Sequence, residues 1–174
     1  MKSCIRGIIC AILLSDKYVN CKSCMAPPKI HIKTISAETT HIVRHPVLRS
    51  GLPKESCVLP GDNLPTTIHL GAYSQHILIG VCTVLNNPKD GPFTVPNGQI
   101  RGMAVLPSNQ SSGVGRLLVE EAERLGKTLN FEVMWMNARK GVFAFYKSMG
   151  YKIDGALFDV PIFGPHYRMN KSIL

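Results

Sequence analysis

Acidic residues are scarce in this chain: 11 Asp and Glu stand against 20 Lys and Arg over 174 residues, a net charge of +9. Charge of either sign is thin, at 18%, while 45% of residues are hydrophobic. That balance excludes a disordered polar chain, and the length suits one domain with a full core. No arginine-rich tract is present, and no basic helix face interleaved with aromatics, so nucleic-acid binding lacks support. A mildly basic body does suit an anionic small molecule. Internal repeats and low-complexity tracts are absent, which excludes solenoid architectures. The apolar run at residues 7–14 is too short to cross a bilayer as a helix, so no membrane association is expected.

Cysteines are few and scattered. Cys4, Cys10, Cys21, Cys24, Cys57 and Cys82 do not space out as the disulfide framework of a secreted domain. Cys57 and Cys82 read as reduced thiols. Cys21-x-x-Cys24 and His41-x-x-x-His45 have sixteen residues between their inner members, one more than usual zinc-finger spacing. Pro27-Pro28 interrupts the hairpin that a structural zinc would need, so no metal is expected. Lys2 and Arg6 ahead of residues 7–14 resemble the start of a signal peptide, but no clean small-residue cleavage site follows. Residues 1–24 are read as an extension, either signal-like or a start-site artefact with Met25 as the working start. Residues 25–174 then form the functional domain, and a cytoplasmic location is expected.

Periodicity gives the order β-α-β-β-β-α-β-α-β-β. Residues 30–35 alternate as a strand, and Ser36 caps a helix to about Arg44, which Pro46 should end. Residues 46–66 read as a loop able to cover a cleft, followed by strands at 67–74 and 76–85. After a Pro- and Gly-rich loop at 86–98, residues 99–106 form a central strand. Val114, Leu117, Leu118, Ala122, Leu125 and Leu129 mark one buried helical stripe, with Glu120/Arg124 and Glu123/Lys127 paired on its wet side. A strand at 131–136, a helix at 142–149, and strands at 152–159 and 165–171 complete the domain. The expected class is mixed α/β, with a central mixed sheet and helices on both faces.

The most informative stretch is Gln110-Ser111-Ser112-Gly113-Val114-Gly115-Arg116, between the central strand and the amphipathic helix. Glycines let backbone approach a ligand closely, and the helix start offers unpaired N–H groups and a positive dipole end. Arg116-Leu117 is not the Gly-Lys-Ser/Thr ending of a P-loop, and Leu118 replaces the third glycine of a dinucleotide fingerprint. The pattern that fits is Gln/Arg-x-x-Gly-x-Gly/Ala, preceded by Arg101-Gly102-Met103-Ala104-Val105. With Asn137-Ala138-Arg139, Phe145-Tyr146-Lys147-Ser148-Met149-Gly150-Tyr151 and His166-Tyr167-Arg168-Met169, the chain resembles the GNAT superfamily of acetyl-CoA-dependent N-acetyltransferases, small bacterial type. Val47-Leu48-Arg49 and Asp62 followed by His69-Leu70-Gly71-Ala72 extend the likeness upstream.

That resemblance implies a splayed sheet and a transfer of acetyl from acetyl-CoA to a primary amine within a ternary complex. Ser111, Ser112, Gly113, Val114, Gly115 and Arg116 would hold the pyrophosphate, with side-chain help from Gln110 and Arg116. Met103, Ala104 and Val105 would line the pantetheine arm, the Val105 N–H would face the oxyanion, and Asn137 would bond the arm or a water. Tyr146 would be the acid for the departing thiolate. For the base, His166 and His69 lead, with Asp62 and Glu132 open alternatives. A non-catalytic acyl-CoA-binding or sensing module on the same fold is the rival. The acceptor amine, and whether the protein is a monomer or homodimer, stay open.

Overall fold

The computed structural model describes residues 29–86 and 91–174. Residues 1–24, and with them the Cys21-x-x-Cys24 half of the zinc reading and the proposed start at Met25, lie outside the described residues. Among the described residues eight strands form one sheet in the order β1-β2-β3-β4-β5-β8-β6, with β7 also on β8. The strands are β1 (Ile30–Ile35), β2 (Ile68–Ser74), β3 (Ile77–Asn86), β4 (Asn97–Val105), β5 (Val133–Arg139), β6 (Lys152–Ile153), β7 (Phe158–Val160) and β8 (Gly164–Ser172). All neighbours are antiparallel except β4 and β5.

Helices α1 (Ala37–Leu48) and α2 (Val114–Thr128) pack on opposite faces of the sheet. The alternation of β4 makes this plain: Ala104 joins Val43, Leu78 and Val81 under α1, while Val105 joins Leu118, Val119 and Ala122 under α2. The short α3 (Phe143–Ser148) joins the α2 side, contributing the buried Tyr146.

Several elements depart from expectation for local reasons. Ser36 does cap α1, its Oγ accepting from the Thr39 N–H, but Pro46 does not end the helix, which runs on to Leu48. Proline forfeits the bond to the carbonyl four residues back, here that of Ile42 on the exposed side, where water can take its place. Residues 46–66 carry a 3-10 turn at Lys54–Cys57 rather than a free loop. The strand expected at 152–159 is split into β6 and β7. Along α2, Leu117 and Leu129 are exposed and Val119 is buried in their stead, so the packed face is rotated from the expected stripe. Its ion pairs are Arg124 with Glu121, Arg116 with Glu120, and Glu123 with Lys171 of β8, not the expected i,i+4 pairs.

Candidate active site

The site is built on a strand pair that parts. β4 and β5 pair only through Asn97–Val133, Gly98–Met134 and Gln99–Trp135. Beyond that register β5 continues against β8 as far as Arg139–His166, while β4 continues against β3. The two strands therefore diverge toward their C-terminal ends, and among the described residues one side of β4 has no neighbouring ladder there.

A bulge shapes that side. Val81 pairs with Ala104 and Thr83 with Arg101, so Gly102 and Met103 together face Cys82. Gly102 has φ of +55°, and a Cβ there would lie 2.6 Å from Nε of Arg44, so both conformation and space demand glycine. Past the bulge, the Leu106 N–H donates to the Ile79 carbonyl at 2.9 Å. That bond makes Val105 and Gly80 a non-hydrogen-bonded pair, so the N–H and C=O of Val105 turn away from β3 into the gap.

The turn leading into α2 lies at the same end. Gly113, in the left-handed region at φ +87°, is the N-cap, and none of the described residues lies within 4 Å of where its Cβ would sit. Open space, bare N–H groups at the helix start and the dipole's positive end together fit a pyrophosphate. Gln110 does not add to this cradle: its Nε2 donates to the Val105 carbonyl at 3.0 Å, bracing the strand end instead. Ser112 Oγ donates to the Asn109 carbonyl at 2.7 Å, tightening the turn, and Arg116 is half-exposed, its one ion pair among the described residues a long 3.8 Å contact to Glu120. On the acetyl-CoA reading that the resemblance implies, valine at Gly113 should weaken binding of that donor at least about tenfold, because its side chain enters the open space and strains the cap. Calorimetry giving unchanged affinity would place the cradle elsewhere.

Tyr146 sits at the gap's α3 side. Its hydroxyl reaches Sδ of Met103 at 3.4 Å, and its ring packs edge-on against Phe145 and Tyr151. Burial pushes its phenol well above the ordinary range, with the nearby Cys82 adding to the shift, so the proton stays on at neutral pH. Cys82 is itself fully buried and pushed up to about 12 by burial, and burial likewise raises Cys57; neither is an activated nucleophile.

Opposite the cradle, the face of β5 and β8 that α1 leaves uncovered holds a cavity of ≈ 460 Å³. Trp135, Asn137, Asp154, Phe158 and Arg168 line it, with Arg168 Nε bonded to Asp154 at 2.8 Å. His166 is on the same face, its ring tilted beside Phe158 and its Nδ1–H donating to the Gly164 carbonyl at 2.7 Å. This leaves Nε2 as the basic nitrogen. Sequence alone assigns no role to Trp135, Asp154 or Phe158, and Arg168 enters there only as part of the C-terminal motif. The alternation of β5 does put Trp135 beside Asn137, but the flanking turn carries no recognisable pattern.

His69 is corrected by its surroundings. It is buried, its Nε2–H donates to the Asp62 carbonyl at 2.9 Å, and its Nδ1 accepts from the Thr83 hydroxyl at 2.7 Å. With both nitrogens engaged it is a structural histidine rather than a proton acceptor. Asp62 is likewise committed: Arg44 Nη1 reaches one carboxylate oxygen at 2.5 Å and Arg101 Nη2 the other at 3.0 Å. Burial alone would raise its carboxyl, but the bonds from Arg44, the Leu59 N–H and Arg101 outweigh that and hold it below the usual range. Glu132 belongs to the opposite end of β5, where its N–H bonds the Pro96 carbonyl. Among the described residues no group of three or more His, Cys, Asp or Glu could hold a metal ion. No helix among them is long and apolar enough to cross a membrane.

A mixed sheet that opens beside a bulged strand, with a glycine turn feeding a helix at the mouth, defines an acyl-CoA N-acyltransferase type of fold. Residues 45–151 match the acetyltransferase (GNAT) family, and the chain belongs to it. It is 31% identical over 146 residues to the uncharacterized N-acetyltransferase YitI of Bacillus subtilis, covering 83% of this chain and 97% of that protein. Among solved structures it resembles Escherichia coli ElaA, with a TM-score of 0.68 at 15% identity over 83% of this chain and 100% of that one. An aminoglycoside 6'-N-acetyltransferase complexed with coenzyme A also matches, with a TM-score of 0.66 at 14% identity over 83% of this chain and 97% of that one. At such identities these likenesses concern the fold.

Proposed function

We propose that residues 25–174 transfer the acetyl group of acetyl-CoA to a primary amine by direct attack in a ternary complex, in the cytoplasm. One observation carries the reading: β4 loses its β5 partner where Val105 turns its N–H into the gap, with the Tyr146 phenol beside Met103. Residues 111–116 would hold the pyrophosphate through backbone N–H groups, with charge from Arg116. Met103, Ala104 and Val105 would lie along the pantetheine arm, and Asn137 would bond the arm or a water.

In the step itself the amine nitrogen bonds the carbonyl carbon and the carbon–sulfur bond breaks. Charge building on the carbonyl oxygen meets the Val105 N–H, fixed in advance by the Leu106–Ile79 bond. The proton leaving the ammonium goes to Nε2 of His166, directly or through a water. The proton that neutralises the departing thiolate comes from Tyr146, which regains one from solvent while His166 releases the proton it took, so that both groups are reset for the next turnover.

The test is free-thiol release from acetyl-CoA across a panel of amines. Amine-dependent release with stoichiometric N-acetyl product is expected. Tight acetyl-CoA binding with no such release across the panel would favour the rival reading, a sensing module.

A further inference from the structure

Among the described residues, the sheet face opposite α2 carries two positive charges without acidic partners. Arg49, the C-cap of α1, and Arg139, the last residue of β5, both sit against the ring of Phe163, with guanidinium carbons 4.1 and 5.8 Å from its centroid. Among the described residues neither lies within ion-pair distance of a carboxylate, although six other ion pairs occur. Both are half-buried, where an uncompensated guanidinium costs more than at a fully exposed position.

Their fixing differs in a useful way. Arg49 donates through Nε to the Ser56 carbonyl at 3.0 Å and through Nη1 to the Leu48 carbonyl at 3.1 Å, which holds the plane and leaves Nη2 uncommitted. Arg139 donates to no group among the described residues, so its whole fork is unused. Burial disfavours the charge on Arg49, and the neighbouring Arg139 and Arg44 disfavour it further. Two like charges gathered on one aromatic ring are a standing electrostatic cost that an anion reaching both would relieve.

Their position is what gives this meaning. Arg139 is in register with His166, the proposed proton acceptor, and two residues along β5 from Asn137 in the cavity wall. α1, which delivers Arg49, is on the face opposite α2, so the pair is separate from the phosphate cradle. An anion there would belong to the acceptor rather than to coenzyme A.

We infer that Arg49 and Arg139 bind an anionic group of the acceptor, so that the amine acetylated here is a small molecule also carrying a carboxylate or phosphate. This rests on the acetyl-transfer reading for the word acceptor, but not for the anion site. A polycationic acceptor, such as a polyamine, would meet the unpaired charges of Arg49 and Arg139 and be repelled from the face it must approach.

The experiment compares matched acceptors in the thiol-release assay: amino acids against their carboxamides, and phosphoethanolamine against ethanolamine. The anionic member of at least one pair should win in kcat/KM by about tenfold or more, the effect expected of charge-assisted hydrogen bonds; which pair responds identifies the anion. Arg139→Gln should raise KM for that anionic acceptor about tenfold and leave the neutral partner's KM and the acetyl-CoA Kd unchanged. Arg139→Lys should recover part of the loss. Equal or better use of neutral or polycationic acceptors overturns the inference, as does an Arg139→Gln loss shared by both members of the pair.

If no amine is acetylated although acetyl-CoA binds, the transfer reading falls, and the anion site is judged by binding alone. N-acetylglycine and N-acetylethanolamine phosphate are then titrated by thermal shift against N-acetylglycinamide and N-acetylethanolamine. A rise with an anionic compound, absent for its neutral partner and lost in Arg139→Gln, upholds the site. No rise, or the same rise with both members, removes it.

Discussion

Asparagine at position 62 should lower the unfolding free energy by about 3–5 kcal/mol, the range for breaking a buried ion pair by removing one partner. The side chains of Arg44 and Asp62 are each 1% exposed, so Arg44 would keep its charge with neither counterion nor water. Asp62 also accepts from Arg101 and from the Leu59 N–H, so three elements loosen together: α1, β4 and the segment between α1 and β2. Arg44 additionally donates to the Cys57 carbonyl at 3.0 Å and to the Thr83 hydroxyl at 2.6 Å, which in turn orients His69. Urea unfolding followed by circular dichroism would measure the shift in midpoint. A change below about 1 kcal/mol, the scale of an exposed pair, would mean the cluster is worth little.

The same residue sets an acid limit. Its folded carboxyl titrates below its unfolded value, so its contribution is complete above about pH 4 and lost as pH falls through the folded value. Wild-type stability should drop across that acidic window, and Asp62→Asn should show a shallower drop there, since the group that titrates is gone.

Phenylalanine at position 146 should lower kcat by about a hundredfold or more, the usual scale for removing a general acid. The substitution keeps the ring contacts with Phe145 and Tyr151 and removes only the hydroxyl that faces Met103. Folding and acetyl-CoA affinity should therefore hold while the chemical step slows. Because burial keeps the phenol protonated, the alkaline limb of the wild-type pH profile should not report Tyr146. A thioester whose thiol is more acidic needs less help in leaving and should lose less. Unchanged turnover in Tyr146→Phe would reduce this residue to core packing.

Much of this was legible in the sequence because it is local. The Gly113 turn, the amphipathic α2 and the alternating strands each announce themselves within a few residues. The bulge was only half legible: Arg101-Gly102-Met103 can be read as a motif, but the reason for Gly102 is a guanidinium 58 positions earlier in the chain, packed against it. His69 misled for the same reason. Its environment is made by Thr83 and Asp62, and no pattern around residue 69 reveals that both nitrogens are occupied. Gln110 matched the motif yet turned back on its own strand, a choice set by the path of the turn. Arg49 and Arg139 are ordinary surface-type residues until Phe163, carried in by the β7–β8 turn, brings them together.

The three-residue ladder between β4 and β5 has a mechanical consequence. Through the backbone, two half-sheets meet at a short zip near one end, and only side-chain packing ties them at the other. A linear molecule with amides along its length, laid in that notch, would act as the missing stitch. Occupancy would then stiffen the whole domain rather than one pocket, so saturation with the donor should be felt as far away as the β1 and β6 edges.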